Sequence, residues 1–261
     1  MFLEPHWRVL TIGDGDLSFS YCLAQQQSVA TVVASSLDSE SEVIAKYRHQ
    51  YTQYFKENKQ EYYPGLDINK PEQFPKTLQG RFDAVIFQFP LITAQASRRK
   101  LTSHQYSSNL LNRQLLHHFL RHSKQYFLDP NGPMVAIITS KDVKPYCHWN
   151  IEGSLNHGLS MPYLGWLNFD LDAFPNYRIR NVDRDKFVKK TLAKSYYFAA
   201  KPSPLLAKQV TANRYAGARF CSLCRCGPML TQQEWAQHQE SKRHQQMLTF
   251  EKDWLAWLNE R

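Results

Sequence analysis

Short apolar runs alternate with stretches of helical spacing along most of the chain. Arg8 to Ile12 (RVLTI) is a compact strand-like run, closed by Gly13 and Gly15. Leu17 to Gln27 reads as a helix, with Ser18 available as its cap and Phe19, Cys22 and Leu23 on one face. Ala30 to Ser35 predicts a second buried strand, ended by Leu37 and Asp38. Ser39 then caps a helix in which Val43, Ile44 and Tyr47 recur at helical spacing. A short strand near Tyr62 and Tyr63 leads into Pro64-Gly65-Leu66-Asp67. Phe82 to Phe89 (FDAVIFQF) is the plainest strand, stopped by Pro90.

The alternation continues further along. Tyr106 to Phe127 predicts a long helix with Leu110, Leu111, Leu115, Phe119 and Leu120 facing inward, broken by Asn131-Gly132-Pro133. Met134 to Thr139 predicts another buried strand, residues 146–158 read as helical up to Gly158, and Tyr163 to Phe169 and Ser195 to Ala200 read as the last strands. Runs this apolar imply strands covered on both faces, and the alternation implies an α/β fold with a mainly parallel sheet and helices on both sides. Such a sheet binds its ligand at the carboxyl ends of its strands. The loops after Ile12, Leu37, Leu66 and Phe89 are therefore where chemistry is expected.

The pattern lapses after Lys201. The reading divides the chain into a domain over residues 1–200, a linker over 201–218 and a small unit over 219–261.

Composition narrows the class. Apolar residues make up 43% of the 261, enough for a core, and no apolar run reaches the roughly 20 residues of a membrane span. The first residues place acids and glycines where a signal peptide needs a long apolar stretch, so an intracellular, soluble protein is expected, cytoplasmic or nucleolar, with no membrane partner. Five cysteines, three of them at Cys221, Cys224 and Cys226, argue against a disulfide framework. The net charge of +9 is regional: residues 1–97 are net acidic, and the excess lies in 98–150, 176–194 and 201–261. That distribution points to a polyanionic partner.

Gly13-Asp14-Gly15-Asp16-Leu17-Ser18 follows the first strand and opens the first helix, as a nucleotide-binding turn does, with Ser18 at the last small position. Asp38, at the end of the second strand, is placed to hold two ribose hydroxyls. A helix N-terminus favours a pyrophosphate, yet Asp14 and Asp16 would repel one. S-adenosylmethionine has no phosphate and carries an ammonium and a sulfonium, so the charges favour it over a dinucleotide. Asp67, after the third strand, is a further candidate near the adenine. Gln88-Phe89-Pro90 ends the fourth strand, where an amide can pair with a nucleobase edge and a ring can stack on its face. Lys141 and Asp142, ending the next strand, are candidates for contacting a phosphate or polarising the base.

GDGDLSFS, ASSLDS, FDAVIFQFP, NLLNRQLLHHF, AIITSKDVKPYCHWNI and FPNYRIR follow one another in an order and spacing that resembles a known family, over roughly residues 7–200. The family is the large-subunit ribosomal RNA uridine-N(3)-methyltransferase-like family. The resemblance implies a Rossmann-like class I methyltransferase domain, S-adenosylmethionine bound around Gly13, Asp14, Gly15 and Asp38, and methyl transfer to a uridine ring nitrogen in rRNA. Two residues depart from the family pattern at the strand end: Gln88 replaces an asparagine and Leu91 a histidine. Leu37 stands where the family has a tyrosine.

Cys221-x2-Cys224-x13-His238-x5-His244 has the spacing of a Cys2His2 structural zinc site, with two thiolates on a knuckle and two imidazoles on a helix. Thr231 and Glu234 predict a capping box at that helix, and the six-residue step between the histidines requires a break in it. Cys226 is the alternative to Cys224 as ligand. The long histidine gap resembles the U1/matrin type of finger, which binds RNA or proteins. Arg219, Arg225, Lys242 and Arg243 place positive charge around it, and the stretch from Trp254 to Leu258 predicts a helix packing back on the rest. Two other functions stay open at this stage: an inactive RNA-binding protein led by its finger, and a methyltransferase acting on something other than RNA.

Overall fold

The computed structural model describes residues 1–92, 106–181, 184–188 and 190–260, with backbone alone at Arg184, Lys186 and Phe187. Arg98, Arg99 and Lys100, counted in the basic stretch above, lie outside the described residues. The sheet has seven strands: β1 (Arg8–Ile12), β2 (Thr31–Ser35), β3 (Tyr62–Tyr63), β4 (Ala84–Gln88), β5 (Val135–Lys141), β6 (Tyr163–Asn168) and β9 (Ala193–Ala199), in the order β3-β2-β1-β4-β5-β9-β6. β1 pairs in parallel with β2 and β4, β2 with β3 and β4 with β5; β9 is antiparallel to both β5 and β6. Two further strands, β7 (Arg180–Asn181) and β8 (Arg184–Phe187), form a separate hairpin that the sequence did not announce.

Alternate residues of the central strands face two cores. Leu10, Val85, Ala136 and Ile138 pack with Leu116, Phe119 and Leu120 of α4 (Ser108–His122). Val9, Ala84, Ile86 and Ile137 pack with Phe19, Cys22 and Leu23 of α1 (Ser18–Gln26). Both faces are covered, which is why the strands read as unbroken apolar runs.

Between β2 and β3 lie α2 (Glu40–Lys46), whose Ser39–Glu42 capping box is formed, and α3 (Thr52–Glu57). Val43 and Tyr47 are buried as expected, whereas Ile44 is exposed. Ser18 does not cap α1. Leu17 takes the cap position with φ 63°, and the Ser18 N–H donates to Asp16 Oδ1 at 3.1 Å. Residues 146–158 form a single 3-10 turn (Tyr146–Trp149) rather than a helix. Asn150 there adopts φ 49° and its amide donates to Ser154 and Glu251, which draws the segment onto the C-terminal helix.

The stretch read as a linker carries α5 (Pro204–Gln209), whose Leu206 is buried, and Thr211 bridges to Trp166 at the sheet edge. α6 (Gln232–Glu240) begins at the Thr231–Glu234 capping box. Ser241 ends it and caps α7 (Lys242–Asn259), so the expected break between the histidines falls at Ser241. α7 lies on the outer side of α4: Trp254 and Trp257 pack on Leu110, and the fully buried Arg113 donates to Glu251 at 3.0 Å with its guanidinium 4.6 Å from the Trp254 ring centre.

Candidate active site and metal centre

A cavity of about 730 Å³, part of it open solvent, lies at the carboxyl ends of β1, β2 and β4. Gly13, Asp14, Gly15, Asp16, Leu37, Asp38, Gln88, Phe89 and Pro90 line it, so three of the four loops singled out by the strand pattern converge on one place, and the loop after Leu66 does not reach it. The glycines there are a packing requirement. Gly13 has φ 64°, and a Cβ on it would lie 2.9 Å from the Phe87 ring; one on Gly15 would lie 2.7 Å from the Tyr47 hydroxyl. A side chain at either position would displace the cavity wall.

The two acids of the turn are engaged, not idle. Asp14 Oδ2 accepts from the Ser20 N–H at 2.7 Å and from the Ser20 hydroxyl at 2.6 Å. Together with Asp16 at Ser18, it satisfies amides of the first turn of α1, which have no partner inside the helix. Burial, with the Asp16 charge added, pushes the Asp14 carboxyl up to about 7. Asp16 Oδ2 accepts from Arg180 Nε at 2.5 Å. The turn therefore presents less uncompensated negative charge than its sequence suggests.

Asp38 stands on the cavity wall with Lys46 Nζ 2.8 Å from its Oδ2. Ser18 and Asp67 do not line the cavity. The Ser18 hydroxyl accepts from the Arg178 N–H at 3.2 Å, and Asp67 accepts from Asn69 within its own turn.

At the end of β4, Phe89 is held at φ 47° by its N–H donating to the Thr139 carbonyl at 2.8 Å. Its ring stacks with Tyr177 and meets Phe169 edge-on. Both polar atoms of the Gln88 amide are buried without a hydrogen-bond partner among the described residues. A native protein rarely leaves such a group unpaired, and where it does the position calls for an absent partner.

Sequence reasoning missed the other half of the cavity. Tyr177, Arg178, Ile179, Arg180 and Asn181, leading into β7, close it from above. Arg180 also donates to Asp185 and to the His49 carbonyl and lies 5.6 Å from the Tyr47 ring centre. The basic charge of 176–194 was the available signal, but charge alone does not say that an arginine folds inward onto Asp16.

A second cavity of about 500 Å³, part of it open solvent, adjoins the first along Phe89, Pro90, Leu91 and Arg180. Ser140, Lys141 and Tyr146 form its other side.

In the C-terminal unit the four residues picked by spacing come together: one ligand atom each from Cys221, Cys224, His238 and His244 lies within 4.8 Å of the others. His244 Nδ1 is 3.6 Å from Cys221 Sγ and 3.4 Å from Cys224 Sγ. Two sulfurs and two imidazoles at this mutual distance fit a tetrahedral ion. Cys226 Sγ lies beside His238, at 3.7 Å, outside that set of four. Of the four cations near the finger, Arg225 turns inward to Asp142 and Glu152, and Arg243 donates to the Cys224 carbonyl at 2.5 Å. Arg219 and Lys242 are exposed.

A mainly parallel sheet in this order, with a glycine turn at β1 and an acid at β2 facing a cavity at the strand ends, defines a Rossmann-like class I methyltransferase. Residues 10–181 match the BMT5-like family, described as rRNA (uridine-N3-)-methyltransferase BTM5-like, and the chain belongs to that family. It is an S-adenosylmethionine-dependent RNA methyltransferase. An uncharacterized Arabidopsis thaliana protein is 30% identical over 177 residues, which is 65% of this chain and 79% of that one. A heavy metal-associated isoprenylated plant protein of the same organism is 27% identical over 67% of this chain and 33% of its own length. Among solved structures, a 30S ribosomal A1408 methyltransferase from an uncultured bacterium is similar with a TM-score of 0.43 at 13% identity, over 75% of this chain and 87% of that one. Among the described residues no helix is long and apolar enough to cross a membrane.

Proposed function

We propose that the chain transfers a methyl group from S-adenosylmethionine to N3 of a uridine in rRNA. In this reading Gly13, Asp14, Gly15 and Asp16 form the floor of the cofactor site, and Asp38 accepts from the ribose hydroxyls. Ser18 supports the site from behind by holding the Arg178 backbone, and Asp67 is left to its own turn. S-adenosylmethionine supplies an electrophilic methyl carbon when bound. The chain's part is to align a nucleophile with it and keep water out. Phe89 and Pro90 line both cavities, and the Gln88 amide, beside them on the wall of the first, offers donors for a uracil carbonyl. The observation that carries the reading is the unpartnered Gln88 amide in a chain of this family.

Zn²⁺ is read as held by Cys221, Cys224, His238 and His244; four protein ligands leave no open position, so its role is structural. Residues 219–261 are read as a finger unit joined through 201–218 to the methyltransferase domain over 1–200, with exposed Arg219 and Lys242 toward RNA phosphates. Incubating rRNA from cells lacking the gene with the protein and S-adenosylmethionine, followed by nucleoside mass analysis, tests the target. Appearance of 3-methyluridine supports the proposal, and methylation of any other nucleoside, or none, overturns it.

A further inference from the structure

Ser140 and Lys141 are the last residues of β5, directly beyond the Thr139 that pairs with Gln88. Both stand on the wall of the second cavity, across from Phe89, Pro90 and Leu91. Ser140 is 2% exposed and its hydroxyl has no hydrogen-bond partner among the described residues. A buried unpaired hydroxyl costs roughly 1–3 kcal/mol, a cost relieved when a ligand provides the partner. Lys141 forms no ion pair among the described residues; its Nζ lies 5.4 Å from the Tyr146 ring centre. The adjacent Asp142 is already bound to Lys194 at 3.0 Å and Arg225 at 2.6 Å. The other charged group on this cavity, Arg180, is turned to Asp16 and Asp185. Burial without a carboxylate lowers the Lys141 ammonium from its ordinary range, which raises the share of neutral amine.

We propose that the second cavity receives the acceptor uracil, that Lys141 takes its N3 proton, and that Ser140 donates to a neighbouring ring carbonyl. This rests on the uridine reading above. A uridine imide must lose that proton to become nucleophilic, and no lysine lines the glycine-turn cavity among the described residues, where Lys46 is held from outside the lining by Asp38. The neutral Lys141 amine gains the N3 hydrogen and becomes an ammonium. The N3 electron pair forms the bond to the methyl carbon, and the carbon–sulfur pair stays on sulfur, leaving a neutral thioether. The positive charge thus passes from sulfonium to ammonium, which then yields its proton to solvent.

The experiment uses the full zinc-loaded chain, with rRNA from cells lacking the gene as substrate. Lys141→Ala should lower the rate of 3-methyluridine formation roughly 100-fold or more, with cofactor affinity by calorimetry unchanged. Lys141→Arg, which keeps the charge but cannot accept the proton, should be equally slow. Added ethylamine should restore Lys141→Ala and not Lys141→Arg. The wild-type rate should level off as pH rises, while the residual Lys141→Ala rate keeps climbing. Ser140→Ala should cost about tenfold. An active Lys141→Arg, or a Lys141→Ala within threefold of wild type, would overturn the assignment of the base while leaving the uridine reading intact. A wild-type product other than 3-methyluridine would overturn both.

Discussion

Arg225, the residue between Cys224 and Cys226 on the C-terminal knuckle, donates to Asp142, the residue just past β5, with a separation of 2.6 Å. The same guanidinium lies 3.3 Å from Glu152. Burial works against the Asp142 charge, but Arg225 and Lys194 outweigh it and hold the carboxyl below its usual range. The Cys221–Cys226 knuckle is therefore fastened to the residue next to Lys141, on the side of the second cavity. Arg225→Ala should cost about 2–4 kcal/mol, since it leaves Glu152 without its cation and Asp142 with Lys194 alone. Methyl transfer should fall with no change in cofactor affinity. A variant with wild-type melting and wild-type rate would show that this bridge holds nothing.

Asp38 is separable from Asp67 by position. Asp38→Ala removes a charged acceptor from the cavity wall and should weaken S-adenosylmethionine binding roughly 10- to 100-fold. Asp67→Ala, off the cavity, should leave binding unchanged. Calorimetry on the two variants decides it, and equal effects would misplace the ribose.

Asp14 makes stability depend on pH in an unusual direction. Its carboxyl titrates at about 7 in the folded chain, above the ordinary value of 3.8, so the folded state holds this proton more tightly than the unfolded one. The stabilisation linked to that proton is complete below about 4 and is lost as pH rises through 7. Asp14→Asn should therefore gain on wild type by up to a few kcal/mol between pH 5 and pH 8. Urea midpoints of both proteins at the two pH values give the comparison; a constant difference would contradict the shift.

Metal removal should open the knuckle without releasing the C-terminal helix. Trp254 and Trp257 on Leu110, and Arg113 on Glu251, anchor α7 independently of the four ligands. After chelation, amide exchange should rise over residues 219–240 and stay protected over 250–258, with cofactor affinity retained. His238→Ala should behave alike. Exchange rising equally across both stretches would mean the metal holds the helix in place as well.

Leu110, expected on the inward face of its helix, packs outward on Trp254 and Trp257, whereas Leu115, Phe119 and Leu120 were legible as that inward face from their spacing. Arg113 and His117 were not, although both are buried. On an amphipathic pattern they fall on the solvent side, and only the docking of α7 from far along the chain covers them. Arg180 is the same case at the site, since its partner Asp16 lies 164 residues away.

The order of elements, the glycine turn, Asp38, the Gln88-Phe89-Pro90 strand end and the spacing of Cys221, Cys224, His238 and His244 are set by local pattern, where neighbouring residues carry the signal. The seven-strand order with β9 reversed, the inward turn of Arg180 and Arg225, and the pairing of two cavities across Phe89 belong to the tertiary structure. They depend on which distant charges meet when apolar surface is buried, and no short window of sequence contains both partners.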